Sequence, residues 1–417
     1  MTDLSTGPFP KGFLWGAASA GHQVEGGNTD SDLWLLENVA GSIFAEPSGD
    51  ACDHYHRYAD DIALLASFGL NTFRTSVEWS RIEPTEGRFD REVIAHYRDV
   101  LETCHRYGIA PMVTYHHFTS PLWLLAGGGW ENPRTPELFA RYAEVVTAEL
   151  GDLFDVACTL NEPNLPFLLG ALGLGAKTPG DRRHIPMFVN AAAELGVDPA
   201  IIAPFQFSAT QAGYDVKVAA HRLGRDAIKS VRHETAVGWT LANSDIQAAP
   251  GGEQYATTLR HDINGRFLEA SRGDDFVGIQ TYGRHVFDAE GALVKATDGV
   301  PVNQMGDEIY PQGLSSTIRE AARVAGVPVY VTENGLATTD DAQRVQFLED
   351  SVDVVADCIA DGVDVRGYIV WTLLDNFEWI FGYEPKFGLV AVDRATQGRT
   401  PKPSAYRLGE LARLYTS

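Results

Sequence analysis

A chain of 417 residues, 44% hydrophobic and 10% aromatic, has ample material for a large core, which excludes a disordered chain. Its 56 acidic residues outnumber its 33 basic ones and leave a net charge of −23, which repels phosphate backbones and anionic membranes and argues against nucleic acid as a partner. The opening stretch MTDLSTGPFPKGFLWG has neither the basic start nor the long apolar run of a signal peptide, and no segment elsewhere is long enough to span a bilayer.

In chain order, short apolar strands alternate with amphipathic helices. Strands are expected at about 13–17, 70–76, 110–116, 154–160, 235–241, 275–282, 328–333 and 366–373. Helical periodicity falls between most of them, for example over 53–68, 90–107, 136–150, 209–230, 311–325 and 341–361. No Pro/Gly/Ser-rich linker divides the series, so residues 1–417 read as a single (β/α)8 barrel domain of the α/β class. A doubly wound sheet is the competing architecture, but no GxGxxG or GxxxxGK[ST] turn follows any strand.

Cys52, Cys104, Cys158 and Cys358 are widely spaced, with no CxxC or Cys/His pattern that would build a zinc site. Cys104 and Cys158 sit in apolar segments and read as small core residues. The thiols and the missing leader together favour the cytoplasm. In DHYHRY, residues 53 to 58, His54 and His56 are two apart on a helix and do not share a face, so the stretch reads as packing rather than a metal site.

Two strands end on a glutamate. VACTLNEPN (156–164) delivers Asn161 and Glu162 before Pro163, and VPVYVTENG (327–335) sets Glu333 before an Asn-Gly turn. Catalytic groups of such barrels sit at the C-terminal strand ends, so both carboxylates face one mouth. Arg74 on the second strand, His117 after the third, Tyr282 on the sixth and Trp371 on the eighth join them there. Facing carboxylates cannot ionise independently, and one protonated, one anionic is the pair that glycoside cleavage uses. Two unrelated structural ion pairs are the alternative, and a weak one for two glutamates both placed at strand ends beside Asn.

FLWGAASAGHQVEGG, TLNEPN, VTENG, and WTLLDNFEW followed by KFGLVAVD together resemble glycoside hydrolase family one, the retaining β-glucosidase family, nearly end to end and in family order. The resemblance implies Glu162 as general acid/base and Glu333 as nucleophile. It implies sugar hydroxyl contacts from Gln23, His117, Asn161, Glu378 and Trp379, with Asn161 at the 2-hydroxyl. Arg74 and Tyr282 match residues that orient the nucleophile and hold it anionic, while Trp371 floors and Phe387 walls the glycone subsite. Because neighbouring residues on a strand face opposite ways, only one of His116 and His117 enters the pocket, and the match selects His117.

Two departures stand out: Phe118, where a tryptophan often follows the histidine, and Gln280-Thr281, where Asn-Tyr commonly precedes the tyrosine. The segment 165–215, rich in Gly, Pro and Phe, matches nothing, and is expected to shape the leaving-group side. The implied activity is cofactor-free and metal-free cleavage of terminal β-D-glucosyl residues, with β-D-galactosyl and β-D-fucosyl as further candidates, by double displacement. A transglycosidase would share its covalent intermediate, whereas a non-catalytic carbohydrate-binding barrel would be expected to lack one glutamate. A small-molecule or oligosaccharide β-glycoside is the expected partner, and the oligomeric state is left open.

Overall fold

The computed structural model describes residues 9–173, 178–296 and 299–416. Residues 1–8, which begin the stretch read against a signal peptide, and 174–177, inside the unmatched segment, lie outside the described residues.

Eight parallel strands close into a barrel: β1 (Leu14–Ala18), β2 (Thr72–Ser76), β3 (Ala110–His116), β4 (Val156–Asn161), β5 (Ala236–Ala242), β6 (Val277–Gln280), β7 (Val329–Glu333) and β8 (Val365–Trp371). Each pairs with its neighbours in sequence, and β1 closes the ring against β8. The expected strands are all present, with no end moved by more than two residues. One shift matters for the site. β6 stops at Gln280, so Tyr282 lies beyond the strand rather than on it. The pairing of β6 with β7 changes register between Ile279 and Gln280, and the ladder ends there.

Strands covered by helices are buried on both faces, which is why β7, VYVTE, and most of β3 and β4 read as nearly continuous apolar runs. β2, TFRTS, is buried throughout although four of its residues are polar, and each of those side chains is hydrogen-bonded: Thr72 to the Ala110 carbonyl, Arg74 to Glu333 and Asn161, Thr75 to Ser19 and Ser76 to Glu78. The outer ring includes helices His54–Ser67, Arg91–Arg106, Thr135–Leu150, Gln211–Val231, Gly313–Ala325 and Asp341–Ala360. Several start on a side-chain cap that satisfies otherwise unpaired N–H groups: Asp90 accepts from Glu92 and Val93, Thr210 from Gly213, and Asp340 from Ala342.

The segment without sequence signal contains two short helices, Leu165–Ala171 and Pro186–Leu195, and turns of 3₁₀ helix. Each helix has a proline in its first turn, where a missing N–H costs nothing. All four cysteines are free and buried. Buried His54 bonds to Asp61 at 2.8 Å and exposed His56 to Asp53 at 2.6 Å, two separate pairs. No helix among the described residues is long and apolar enough to cross a membrane.

Candidate active site

The C-terminal ends of the strands meet around a cavity of about 330 Å³ lined by both Glu162 and Glu333, within the range of small-molecule sites. Asn161 ends β4, and the chain then turns sharply: Glu162 takes φ 48°, while its N–H donates to the Thr240 carbonyl of β5 at 2.7 Å. Phe118 (φ 71°) and Trp379 (φ 49°) line the same cavity, also in the left-handed region. Such strain in non-glycine residues persists only where the surroundings enforce it, and it clusters at functional sites. After Glu333 and Asn334, the backbone of Gly335 packs so close to the Trp371 carbonyl that a Cβ would lie 2.0 Å from its oxygen, so only glycine fits.

A buried network holds Glu333. Arg74 Nη1 donates to Oε1 at 2.5 Å, Gln280 Nε2 donates to the same oxygen at 2.8 Å, and the Tyr282 hydroxyl donates to Oε2 at 2.6 Å. Asn161 is tied into the same network. Its Oδ1 accepts from Arg74 Nη2 at 2.5 Å, Thr240 Oγ1 at 2.9 Å and Gln280 Nε2 at 2.9 Å. Three donors fix which end of the amide is the carbonyl, and they leave Nδ2 buried without a protein partner. Glu162, by contrast, has no side-chain hydrogen bond among the described residues.

This asymmetry separates the two carboxyls electrostatically. Burial pushes Glu162 well above the ordinary carboxylate range, and the negative charge of Glu333 adds to it. Burial raises Glu333 as well, but the Arg74 charge and the bonds from Tyr282 and Arg74 oppose it. Glu333 is therefore the member of the pair that ionises first. Arg74 stays cationic, because attraction to Glu333 outweighs the effect of burial, and burial beside Glu333 keeps the Tyr282 phenol protonated.

Next to Glu378, which lines the cavity, Gln23 Nε2 lies 3.5 Å from Glu378 Oε2 and donates to the Phe377 carbonyl at 2.7 Å, and Gln23 Oε1 is buried and unpartnered. The Trp371 indole N–H lies 3.4 Å from Glu378 Oε2. Burial pushes Glu378 up to about 8, so in the ligand-free pocket it carries a proton at neutral pH. Phe387 packs edge-on to Tyr282, with ring centroids 5.8 Å apart. His117 lines the cavity and stacks on Trp371 and Trp379, while His116 turns away to bond Ser120 at 2.9 Å between Trp130 and Phe205. Burial keeps the His117 imidazole neutral.

Most of the expected site residues line this cavity, while Arg74 and Gln23 do not line it but contact Glu333 and Glu378, which do. The two departures belong there too: Phe118 packs edge-on to Trp379 at 5.1 Å, and Gln280 bridges Glu333 and Asn161. Thr240 escaped sequence reading. It lies near the C-terminal end of β5, a position that marks it for the mouth, but its partner stands on another strand.

A closed barrel with two buried, unequally supported carboxyls at its mouth defines a glycoside-cleaving enzyme. The sequence model of Glycosyl hydrolase family 1 matches residues 5–258 and 278–415, and the chain belongs to that family. Beta-glucosidase A of Thermotoga maritima is 30% identical over 452 residues, covering 95% of this chain and 96% of that protein. The bifunctional β-D-glucosidase/β-D-fucosidase of Bifidobacterium breve is 30% identical over 95% of this chain and 96% of its own length. The crystal structure of β-glycosidase BGL167 superposes with a TM-score of 0.97 at 63% identity, covering 98% of each chain.

Proposed function

We propose that the chain is a retaining β-glucosidase in which Glu333 is the nucleophile and Glu162 the general acid/base. The observation that carries the assignment is the contrast, among the described residues, between three side-chain donors on Glu333 and none on Glu162. In the first step a carboxylate oxygen of Glu333 attacks the anomeric carbon, the glycosidic C–O bond breaks, and Glu162 gives its proton to the leaving oxygen. In the second, Glu162, now anionic, takes a proton from water, which attacks the same carbon and releases Glu333. Two inversions return the β configuration.

Asn161 Nδ2, the unpartnered donor beside the nucleophile, faces the 2-hydroxyl in this reading. A bond there strengthens as the ring gains oxocarbenium character, so it favours the transition state over the substrate. Gln23, His117, Glu378 and Trp379 contact the remaining hydroxyls. Trp371 supplies the apolar floor for the sugar's C–H face, and Phe387 the wall. The sugar is a terminal β-D-glucosyl residue, with β-D-fucosyl, as the name of the bifunctional relative suggests, and β-D-galactosyl as further substrates. Closure of the ring between β1 and β8, its first and last strands, supports treating residues 1–417 as one catalytic domain. Four buried free thiols favour the cytoplasm as its compartment.

Proton NMR of early products tests the reading: β-glucose should appear first and mutarotate later. A 2-deoxy-2-fluoroglucoside with a good leaving group should add one sugar mass to the peptide carrying Glu333. First appearance of α-glucose, or a label on Glu162, would overturn it.

A further inference from the structure

We infer that the leaving-group chamber is built for an apolar alcohol, an alkyl or aryl aglycone, in preference to a second sugar. The inference rests on the role proposed for Glu162. The acid must touch the leaving oxygen, so the cavity wall that continues from Glu162 holds the aglycone.

That wall is a short helix beginning three residues after Glu162. Leu165, Leu168 and Leu169 of Leu165–Ala171 line the cavity, and Phe207 continues the surface. The rim is apolar as well: Ile43 and Phe381, also cavity-lining, are 50% and 42% exposed. Large side chains left in water beside a catalytic cavity mark a surface that gains by being covered.

The polar groups near this chamber are mostly bonded to one another. Ser244 and His285 share a hydrogen bond, and Asn303 accepts from the Met305 and Asp307 N–H groups. Asn243 differs. It lies at the top of β5, is 1% exposed, and has both side-chain polar atoms buried without a protein partner. Gln206, next to Phe207 in the lining, has no side-chain hydrogen bond among the described residues either, and the two amides can bind one or two hydroxyls or carbonyls on an otherwise apolar body. A second pyranose, with a hydroxyl on nearly every carbon, would set most of them against leucine and phenylalanine, where an unmade hydrogen bond is costly.

The test compares n-octyl β-glucoside, methyl β-glucoside and cellobiose at constant pH. Octanol is no better a leaving group than methanol and a poorer one than a sugar hydroxyl, so a faster octyl glucoside reports binding rather than chemistry. We expect kcat/KM for octyl glucoside at least ~10-fold above methyl glucoside, since several methylenes leave water, and above cellobiose too. Leu169→Asn and Phe381→Ser, at partly exposed positions, should each bring the octyl-to-methyl ratio toward one. The ratio does not depend on how much enzyme is folded. Equal rates on octyl and methyl glucoside, cellobiose as the best substrate, or a ratio unmoved in both variants would overturn the inference while leaving the glycosidase reading intact. No turnover of any of the three, nor of an aryl glucoside, would sink both.

Discussion

Arg74 and Glu333 form a buried ion pair across the barrel, from β2 to β7, with Nη1 2.5 Å from Oε1 and the arginine fully buried. Breaking such a pair strands a charge, so its presence ties each partner to the other's ionised state. This supports the proposed roles, Glu333 as the anion and Glu162, which has no such partner among the described residues, as the acid.

Replacing the two glutamates should have unequal effects. Glu333→Gly should lower turnover of every glucoside, activated or not, on the order of 10⁴-fold or more. Glu162→Ala should cost ~10²–10⁴-fold on alkyl glucosides but far less in the first step on nitrophenyl glucosides, whose leaving group needs little protonation. Azide should rescue both variants, with opposite stereochemistry. The β-azide is expected from Glu162→Ala after two inversions and the α-azide from Glu333→Gly after one. Polarimetry or NMR of the azide products decides, and the reverse pairing would exchange the two roles.

The pH dependence follows from the same pair. Glu333 must be ionised, so kcat/KM falls as pH drops through its value. Glu162 must be protonated, so the rate falls as pH rises through its own. Both are raised by burial, Glu162 the further, and the bell should therefore lie above the ordinary carboxylate range. In Glu162→Ala, assayed on a nitrophenyl glucoside, the alkaline limb should vanish. Its persistence would assign that limb to another group.

Gln280 should matter as a positioning residue. Its amide donates both to Glu333 and to the Asn161 carbonyl, so Gln280→Leu removes a hydrogen bond to a charge and loosens the amide proposed to face the 2-hydroxyl. Loss of a bond of this kind costs about 1.5–3 kcal/mol, roughly 10- to 100-fold in kcat/KM. The advantage of a glucoside over its 2-deoxy analogue should shrink in the variant, and Gln280→Asn, one methylene shorter, should fall between. An unchanged 2-deoxy ratio would reduce Gln280 to packing.

Glu378 sets a pH-dependent discrimination against 6-phosphoglucosides. Below about 8 its carboxyl is neutral, and above that it is an anion, which a phosphate dianion would meet as like charge in a partly dry pocket. The ratio of kcat/KM for glucoside over 6-phosphoglucoside should exceed one at neutral pH and rise between pH 7 and 9. The limbs from Glu162 and Glu333 are common to both substrates and cancel in the ratio. Faster cleavage of the phosphorylated sugar would contradict the placement of Glu378.

Much of this site was legible in one dimension because barrels obey a simple rule: what ends a strand enters the mouth. Glu162, Glu333, Arg74 and Trp371 were found that way. Tyr282 was assigned to a strand it only follows, since nothing local marks where β6 loses register with β7. The helices at 165 and 186 were invisible because neither is long enough for a clear amphipathic period, and their prolines look like loop residues.

The alternation of strands and helices, and the two carboxylates carried to strand ends, are properties of the sequence itself, because burial on two faces and the period of each element leave a direct chemical imprint. Which carboxyl is the anion was implied in the sequence only by resemblance, and the physical cause that supports it lies in the tertiary structure. Arg74, Gln280 and Tyr282 approach Glu333 from β2 and from the end of β6, whereas no side chain among the described residues hydrogen-bonds the Glu162 carboxyl. Ionisation is set by desolvation and by charges within a few ångströms, and those distances exist only once the barrel has closed.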